Sequence, residues 1–454
     1  MKLFGSSGTR GVVGDGLTAE FVLRVAKGAG TAWDTERVAL AQDTRTTSES
    51  LADAAASGLA SVGVDVDRLG VTPTPAVVRY CEVESVPGVV VTASHNPPEF
   101  NGVKLVGDDG AELAVDELER IEATILDEAF EDVRWDAVGE SERVETANRD
   151  YVDEILALVD REAIAAADLT VALDPGHGAG CLTSPRLLRE LGCEVVTVNA
   201  QPDGHFPGRD PEPVPENLGD LQRLVRAADA DLGIAHDGDA DRAMFVDERG
   251  DLVPGNSSFA ALAADALGPG DTLVSAVNVS QRVVDVVEGA GADLELTPIG
   301  ATNLVTRIEE LRAAGERVPV AGEGNGGVFF PDYRLVRDGA FVAGKFLELV
   351  AGTPASDLVA PYADYATRRI NLEYGTEAEL TAMLDAAERY AQSVDADPTT
   401  IDGYRLDYGD GWVLVRPSGT EPKVRVYAEA GDRARADTLA EDVADALRAA
   451  LDDV

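Results

Sequence analysis

The stretch 89-VVVTASHNPPEFNGVK-104 opens as an uninterrupted apolar run and breaks at Ser94 into a loop stiffened by Pro97 and Pro98, with Lys104 ten residues beyond the serine. A short β-branched run bounded by turn residues reads as a buried strand. A polar residue at the end of such a strand sits where α/β sheets place their ligands. Outward from here the same pattern recurs three times: a β-branched run, a Gly- or Asp-rich turn, then an Ala/Leu/Glu-rich helical stretch. RVALAQD (37–43) leads into SESLADAAASGLASVG (48–63), AADLTVALDPGHGAG (166–180) restarts the pattern, and DTLVSAVNVS (271–280) with ATNLVTRIEELRAAG (301–315) forms a third round. Strands alternating with helices of this length argue for parallel α/β sheets.

The C-terminal stretch differs. A helix, EAELTAMLDAAERYAQSV (377–394), precedes the strand-rich 401–430 and a final helical segment from Arg433. This composition reads as a smaller α+β domain. Boundaries are expected near residues 145, 250 and 365, giving domains over 1–145, 146–250, 251–365 and 366–454.

Charge is the loudest global feature. The 454 residues carry 83 Asp plus Glu against 38 Lys plus Arg, a formal net charge of −45, and only five of the basic residues are lysine. Hydrophobic residues still make up 45% of the chain, so the disorder expected of acidic, apolar-poor sequences does not apply. A folded chain this acidic repels itself unless concentrated salt screens it, which reads as halophilic adaptation. The same charge argues against a nucleic-acid partner, because phosphate backbones demand a basic footprint. No apolar run approaches a membrane span and the N-terminus has no signal-peptide core, so a cytoplasmic protein without membrane attachment is expected. Cys81, Cys181 and Cys193, and the four scattered histidines, lack metal-ligand spacing.

Four loops carry candidate chemistry. Ser94 taken alone also reads as a turn or cap serine. The G-x-S-x-G elbow of hydrolases is absent, so no Ser-His-Asp triad is inferred, and His95 reads as a hydrogen bonder that orients the loop. Lys104 offers a cation for a phosphate or a proton. In HDGDADR (236–242), Asp237, Asp239 and Asp241 repel one another unless a cation sits among them, and oxygen ligands of this kind suit Mg²⁺ or Ca²⁺. An EF-hand reading nearly works with Glu248 in the twelfth place, but Arg242 stands where glycine is needed and the flanks read as strands. Arg242 would face a phosphate. GEGNGG (322–327) lets backbone approach a ligand, with Glu323, Asn325 and Gly326 available to sugar hydroxyls, although a hairpin turn fits equally. RPSGTEP (416–422) gathers Arg416, Ser418, Gly419 and Thr420 as phosphate donors, and GSSGTRG (5–11) ends a similar set in Arg10.

The order of these motifs, with TPTP (72–75) and PDGHFPGRDPEPVPENL (202–218), resembles the α-D-phosphohexomutase family across about residues 1–430. The resemblance implies an α/β fold: three similar α/β domains with mixed sheets plus a smaller C-terminal α+β domain around a central cleft. It implies a phosphoserine at Ser94 that completes a single Mg²⁺ site with Asp237, Asp239 and Asp241. It further implies interconversion of hexose 1- and 6-phosphates through a bisphosphorylated sugar, with a sugar 1,6-bisphosphate as activator. Arg10 and Arg242 would neutralise charge in transfer. Lys104, with its pKa lowered by neighbouring cations, would handle protons, with His95 beside it. Glu323, Asn325 and Gly326 would bind the sugar. Arg416, Ser418, Gly419 and Thr420 would hold the non-reacting phosphate. Gly327 departs from family members that carry histidine there, which removes a second proton-transfer group. The opening KLFGSSGTRG leans toward the phosphoglucosamine mutase branch over phosphomannomutase and phosphoglucomutase. A phosphosugar phosphatase, or a sugar-phosphate binder without catalysis, is the rival expectation from another class, and the oligomeric state is left open.

Overall fold

The computed structural model describes residues 3–4, 8–113, 115–418 and 422–452. The chain divides into two compact units, one of residues 1–262 with 324–359 and one of 263–323 with 360–454.

In the first unit, the strand Gly88–Val91 is buried at every position, as its apolar run requires. It lies parallel to Arg37–Gln42, which in turn pairs in parallel with Asp65–Val71. The chain then passes through the Ser94 loop and returns as Phe100–Val106, antiparallel, with Val90 opposite Lys104 and Val91 opposite Val103. That return pairing places the lysine beside the strand that leads into the serine. Thr9–Val13 adds on the far side, antiparallel, with Arg10 opposite Gly102. The seven-stranded sheet is therefore mixed, where strand–helix alternation alone suggested parallel pairing, because a loop this short can only double back.

Helix Ala19–Ala32 covers this sheet, its Thr18 hydroxyl accepting from Phe21 N at 3.1 Å as an N-cap. It packs against Ser48–Ser61, and Val22, Val25, Ala55 and Leu59 share one core with Val38, Leu40, Val89 and Val91. The second sheet is built alike: Leu232–Ala235 runs parallel to Thr170–Asp174 and antiparallel to Met244–Asp247. The loop between Ala235 and Met244 carries the aspartates. The hairpin Val328–Phe330 with Arg334–Arg337, and helix Gly339–Val350, complete this unit.

In the second unit, Thr272–Ala276 pairs in parallel with both Asp293–Thr297 and Ala321–Gly322. The C-terminal sheet is antiparallel throughout, ordered Ala366–Glu373, Lys423–Ala430, Gly411–Pro417, Tyr404–Asp407, Asp397–Thr399. Helices Glu377–Ser393 and Arg433–Asp452 contribute Met383, Ala387, Leu439 and Val443 to its core. The architecture is thus three similar α/β domains with mixed sheets and a C-terminal antiparallel-sheet domain. Among the described residues no helix is long and apolar enough to cross a membrane, and Cys81, Cys181 and Cys193 are unbridged.

A net charge of −45 on this fold makes its stability depend on screening, since the Debye length falls from about 10 Å at 0.1 M salt to about 3 Å at 1 M. Raising KCl from 0.1 to 2 M should raise the thermal midpoint by several degrees in circular dichroism, beyond any rise produced by an uncharged osmolyte. An equal effect of both would contradict the electrostatic origin.

Candidate active site

Ser94 is fully buried and holds a left-handed backbone, φ 50°, unusual for a residue with a Cβ. Such a conformation costs on the order of 1–3 kcal/mol and persists only when surrounding contacts impose it. Ser94 N–H donates to Thr92 Oγ1 at 2.9 Å, and Ser94 Oγ donates to Asp237 Oδ2 at 2.8 Å.

The imposing residue is Arg45, which sequence reasoning missed. Its buried guanidinium donates to four loop carbonyls: Ser94 at 2.8 Å, Asn96 at 2.6 Å, Pro97 at 2.6 Å and Phe100 at 3.0 Å. Asp43 anchors Arg45 Nε at 2.9 Å and also accepts from the Ser48 and Thr92 hydroxyls, both at 2.7 Å. The Phe206 ring lies 5.2 Å from the guanidinium carbon. A second clamp stands behind the aspartate loop. Arg209 donates to Asp174 Oδ2 at 2.8 Å and to the carbonyls of His236 at 2.6 Å, Asp210 at 2.9 Å and Pro211 at 3.1 Å.

Asp237, Asp239 and Asp241 are buried, and one carboxylate oxygen from each lies within 4.8 Å of the others. Gly238 between them abuts Ser94, where a Cβ would stand 2.6 Å from the serine carbonyl oxygen. Lys104 Nζ donates to Asp239 Oδ2 at 2.8 Å and to Asp241 Oδ2 at 3.2 Å. Thr74 of TPTP donates to Asp239 Oδ2 at 2.6 Å, and Arg337 Nη2 to Asp241 Oδ2 at 2.6 Å. Arg242 Nε lies 3.7 Å from Asp237 Oδ2 and 3.8 Å from Asp241 Oδ1. The outer oxygens are thus occupied by cations and a hydroxyl. Asp239 Oδ1 and Asp241 Oδ1 are buried with no hydrogen-bond partner among the described residues. Clustered, buried carboxylate oxygens that accept no hydrogen bond fit a divalent cation with hard oxygen ligands, and flanking strands rather than helices set the loop apart from an EF-hand. Glu248 is used elsewhere, accepting from Ser356 N at 3.1 Å.

The electrostatics follow from burial and these contacts. Burial, with Asp241 and Asp239 adjacent, pushes the Asp237 carboxyl up to about 8. Burial acts the same way on Asp241, but Arg337, Lys104 and Arg242 outweigh it and hold Asp241 below the usual carboxylate range. The expected lowering of Lys104 is not found. Burial works in that direction, yet Asp239 and Asp241 more than offset it and hold the ammonium above its ordinary value. His95 is kept neutral by burial and by Arg242 and Arg10. Its Nδ1 lies 3.0 Å from Arg242 Nη2 and 3.4 Å from Ser94 Oγ.

Ser94, His95, Lys104, Asp237, Asp239, Asp241 and Arg242 therefore come together. Arg10 joins them by donating to Asn96 Oδ1 at 2.9 Å. Asn325 and Gly326 lie in the same unit: Gly326 O accepts from Ala243 N at 2.9 Å, and Asn325 Oδ1 from Gly327 N at 3.0 Å. Glu323 ends the second unit's share of its loop, accepting from Gly300 N at 3.0 Å. Arg416 and Ser418 also belong to the second unit. Arg416 pairs with Asp402 at 2.9 Å, and Ser418 N donates to Lys423 O at 2.8 Å. Gly419 and Thr420 lie outside the described residues.

A buried serine facing clustered carboxylates, with fixed cations around both, is the equipment of a phosphoryl-transfer enzyme that uses a metal. The comparisons agree. Residues 1–132, 149–250, 254–365 and 370–446 match, in order, domains I, II, III and the C-terminal domain of "Phosphoglucomutase/phosphomannomutase". A "Phosphoglucomutase/phosphomannomutase" of Thermococcus kodakarensis is 40% identical over 451 residues, covering 96% of each chain. A "Probable phosphoglucosamine mutase" of Methanopyrus kandleri is 40% identical over 459 residues, covering 100% of this chain and 99% of that one. A crystal structure of a phosphoglucomutase/phosphomannomutase family protein from Burkholderia thailandensis superposes with TM-score 0.86 at 29% identity, covering 99% of this chain and 97% of that one. The chain belongs to the phosphoglucomutase/phosphomannomutase family, and its activity is that of a phosphohexomutase.

Arg45→Lys keeps the charge but cannot span four carbonyls. It should lower kcat by about a hundredfold, the scale of a 1 Å misplacement, with KM within about threefold. A change confined to KM would show that Arg45 does not position Ser94.

Proposed function

We propose that the chain interconverts hexose 1- and 6-phosphates with Ser94 as phosphoryl carrier and Mg²⁺ held by Asp237, Asp239 and Asp241. The observation that carries this reading is Ser94 Oγ, buried in a strained turn and 2.8 Å from Asp237 within the carboxylate cluster. A bound Mg²⁺ would supply charge neutralisation to the phosphoryl oxygens.

The phosphoryl group passes from Ser94 Oγ to a sugar hydroxyl. The P–O bond to serine breaks, a P–O bond to the sugar forms, and the sugar hydroxyl's proton ends on Ser94 Oγ. The resulting bisphosphate turns over and returns its other phosphoryl group to Ser94, so no phosphate is released over a cycle. Lys104, held as an ammonium by Asp239 and Asp241, is the acid that protonates the departing serine oxygen, and it regains its proton from the sugar hydroxyl. Arg10 and Arg242 hold the phosphoryl oxygens, and His95 keeps Arg242 oriented rather than acting as a base on its neighbour. Glu323, Asn325 and Gly326 receive the sugar, and Arg416 and Ser418, with Gly419 and Thr420, the phosphate that does not react. A sugar 1,6-bisphosphate would prime the enzyme. The lean toward glucosamine phosphate is supported by the name of the Methanopyrus relative.

Ser94→Ala should lower mutase turnover by at least about three orders of magnitude, as loss of a covalent carrier does, with the fold intact by circular dichroism. Near-normal turnover, or stoichiometric phosphate release by the unmodified enzyme, would overturn the carrier mechanism. Asp239→Asn should raise the Mg²⁺ concentration needed for half-maximal rate by about tenfold or more, and an unchanged titration would remove Asp239 from the metal site. Comparing kcat/KM for glucosamine 1-phosphate, mannose 1-phosphate and glucose 1-phosphate in concentrated KCl decides the substrate, with the amino sugar expected to lead.

A further inference from the structure

Position 327 closes the loop 322–327, and a Cβ there would stand 2.5 Å from Cδ and 3.4 Å from Cγ of Arg337. Carbon atoms pack at about 3.5–4.0 Å, so the Arg337 stem fills the volume that any larger residue at 327 would claim. Arg337 ends the strand Arg334–Arg337 and is 4% exposed. Its neighbour Asp338 is fixed by four donors: the hydroxyls of Tyr151 at 2.6 Å and Tyr333 at 3.0 Å, and the N–H groups of Ala340 at 3.0 Å and Phe341 at 2.9 Å. From this rigid base Arg337 Nη2 reaches Asp241 Oδ2 at 2.6 Å, an oxygen shared with Lys104. Three clustered carboxylates thus meet three cations, Lys104, Arg242 and Arg337.

We propose that Arg337 is a positioning residue of the reaction: seated in the space that Gly327 leaves open, it fixes Asp241 and supplies the third counter-charge of the aspartate loop. The pair Gly327 and Arg337 is then one device, since neither residue does this without the other. The role deepens the phosphohexomutase reading and rests on it. It makes two demands that a merely structural arginine would not. Removing the guanidinium takes one positive charge away from beside the carboxylates, so a divalent cation should bind the metal-free protein more tightly even as turnover falls. Substituting Gly327 should hurt only while Arg337 is present.

The test uses the full chain with Arg337→Met, Gly327→Ala and the double variant, reading Mn²⁺ affinity of the metal-free protein by calorimetry and kcat by mutase assay. A unit charge about 4 Å away at an effective dielectric constant near 20 is worth roughly a thousandfold, so Arg337→Met should tighten Mn²⁺ by at least about tenfold and lower kcat by about a hundredfold. Gly327→Ala should lower kcat at least tenfold alone and add nothing in the Arg337→Met background, a non-additivity that marks direct contact. It should also tighten Mn²⁺ by displacing Arg337, which keeps the question decidable if the Arg337 variants do not fold. Unchanged or weaker Mn²⁺ binding in both single variants, or additive losses of kcat, would overturn the proposal. Absence of mutase turnover in the unmodified enzyme would instead sink the phosphohexomutase reading, and the Mn²⁺ titrations would still decide the pairing.

Discussion

Three buried carboxylates within 4.8 Å of one another are the constraint on which this structure turns. At an effective dielectric constant near 20, each pair of charges at that separation repels by roughly 3 kcal/mol. Burial without compensation would protonate the carboxyls, as Asp237 shows. The fold answers with cations from three separate segments. Lys104 comes from the strand returning out of the serine loop, Arg242 from the far end of the aspartate loop, and Arg337 from the hairpin before helix Gly339–Val350. Lys104 and Arg337 stand on strands and Arg242 two residues before one, so the counter-charges keep their places without reorganisation. That is the property phosphoryl transfer rewards, because its transition state is stabilised by fixed charge more than by covalent chemistry.

The Ser94 loop is built with equal rigidity by a different means. Its loop owes its shape to one guanidinium that binds four carbonyls, itself tied to an aspartate at the end of strand Arg37–Gln42. Arg209 and Asp174 repeat the arrangement beside the second sheet and hold the aspartate loop. Two α/β domains thus use the same solution at corresponding strand ends. One fixes the Ser94 loop and the other fixes the carboxylates that face it. Gly238, with no room for a Cβ against the Ser94 carbonyl, lets the two loops meet.

Much of this was legible in the sequence. The strand 88–91, the flanking strands of the aspartate loop and the long C-terminal helices have the periodicity their burial demands. Ser94, Lys104 and the aspartates were marked by residue type and spacing, and family resemblance set them in one site. What escaped was whatever depends on distant partners. Arg45 sits in a polar turn and reads as the approach to a helix, because its four acceptors lie about fifty residues on. Thr74 and Arg337 find their aspartates 165 and 96 residues away. The ionisation of Lys104 was misjudged for the same reason, since Asp239 and Asp241 face it only in the folded chain. Strand Ala366–Glu373 was missed because it sets two arginines side by side, Arg368 and Arg369, and buries only Ile370, so its apolar alternation is weak.

The central claim is that Ser94 carries a phosphoryl group during turnover. The direct measurement is peptide mass spectrometry of the full chain after incubation with glucose 1,6-bisphosphate and Mg²⁺ in concentrated KCl, followed by addition of unlabelled sugar monophosphate. The account predicts a single phosphoryl group on the peptide containing Ser94, discharged when the monophosphate is added. A phosphoryl group on another residue, or one on Ser94 that the sugar monophosphate fails to remove, would contradict it.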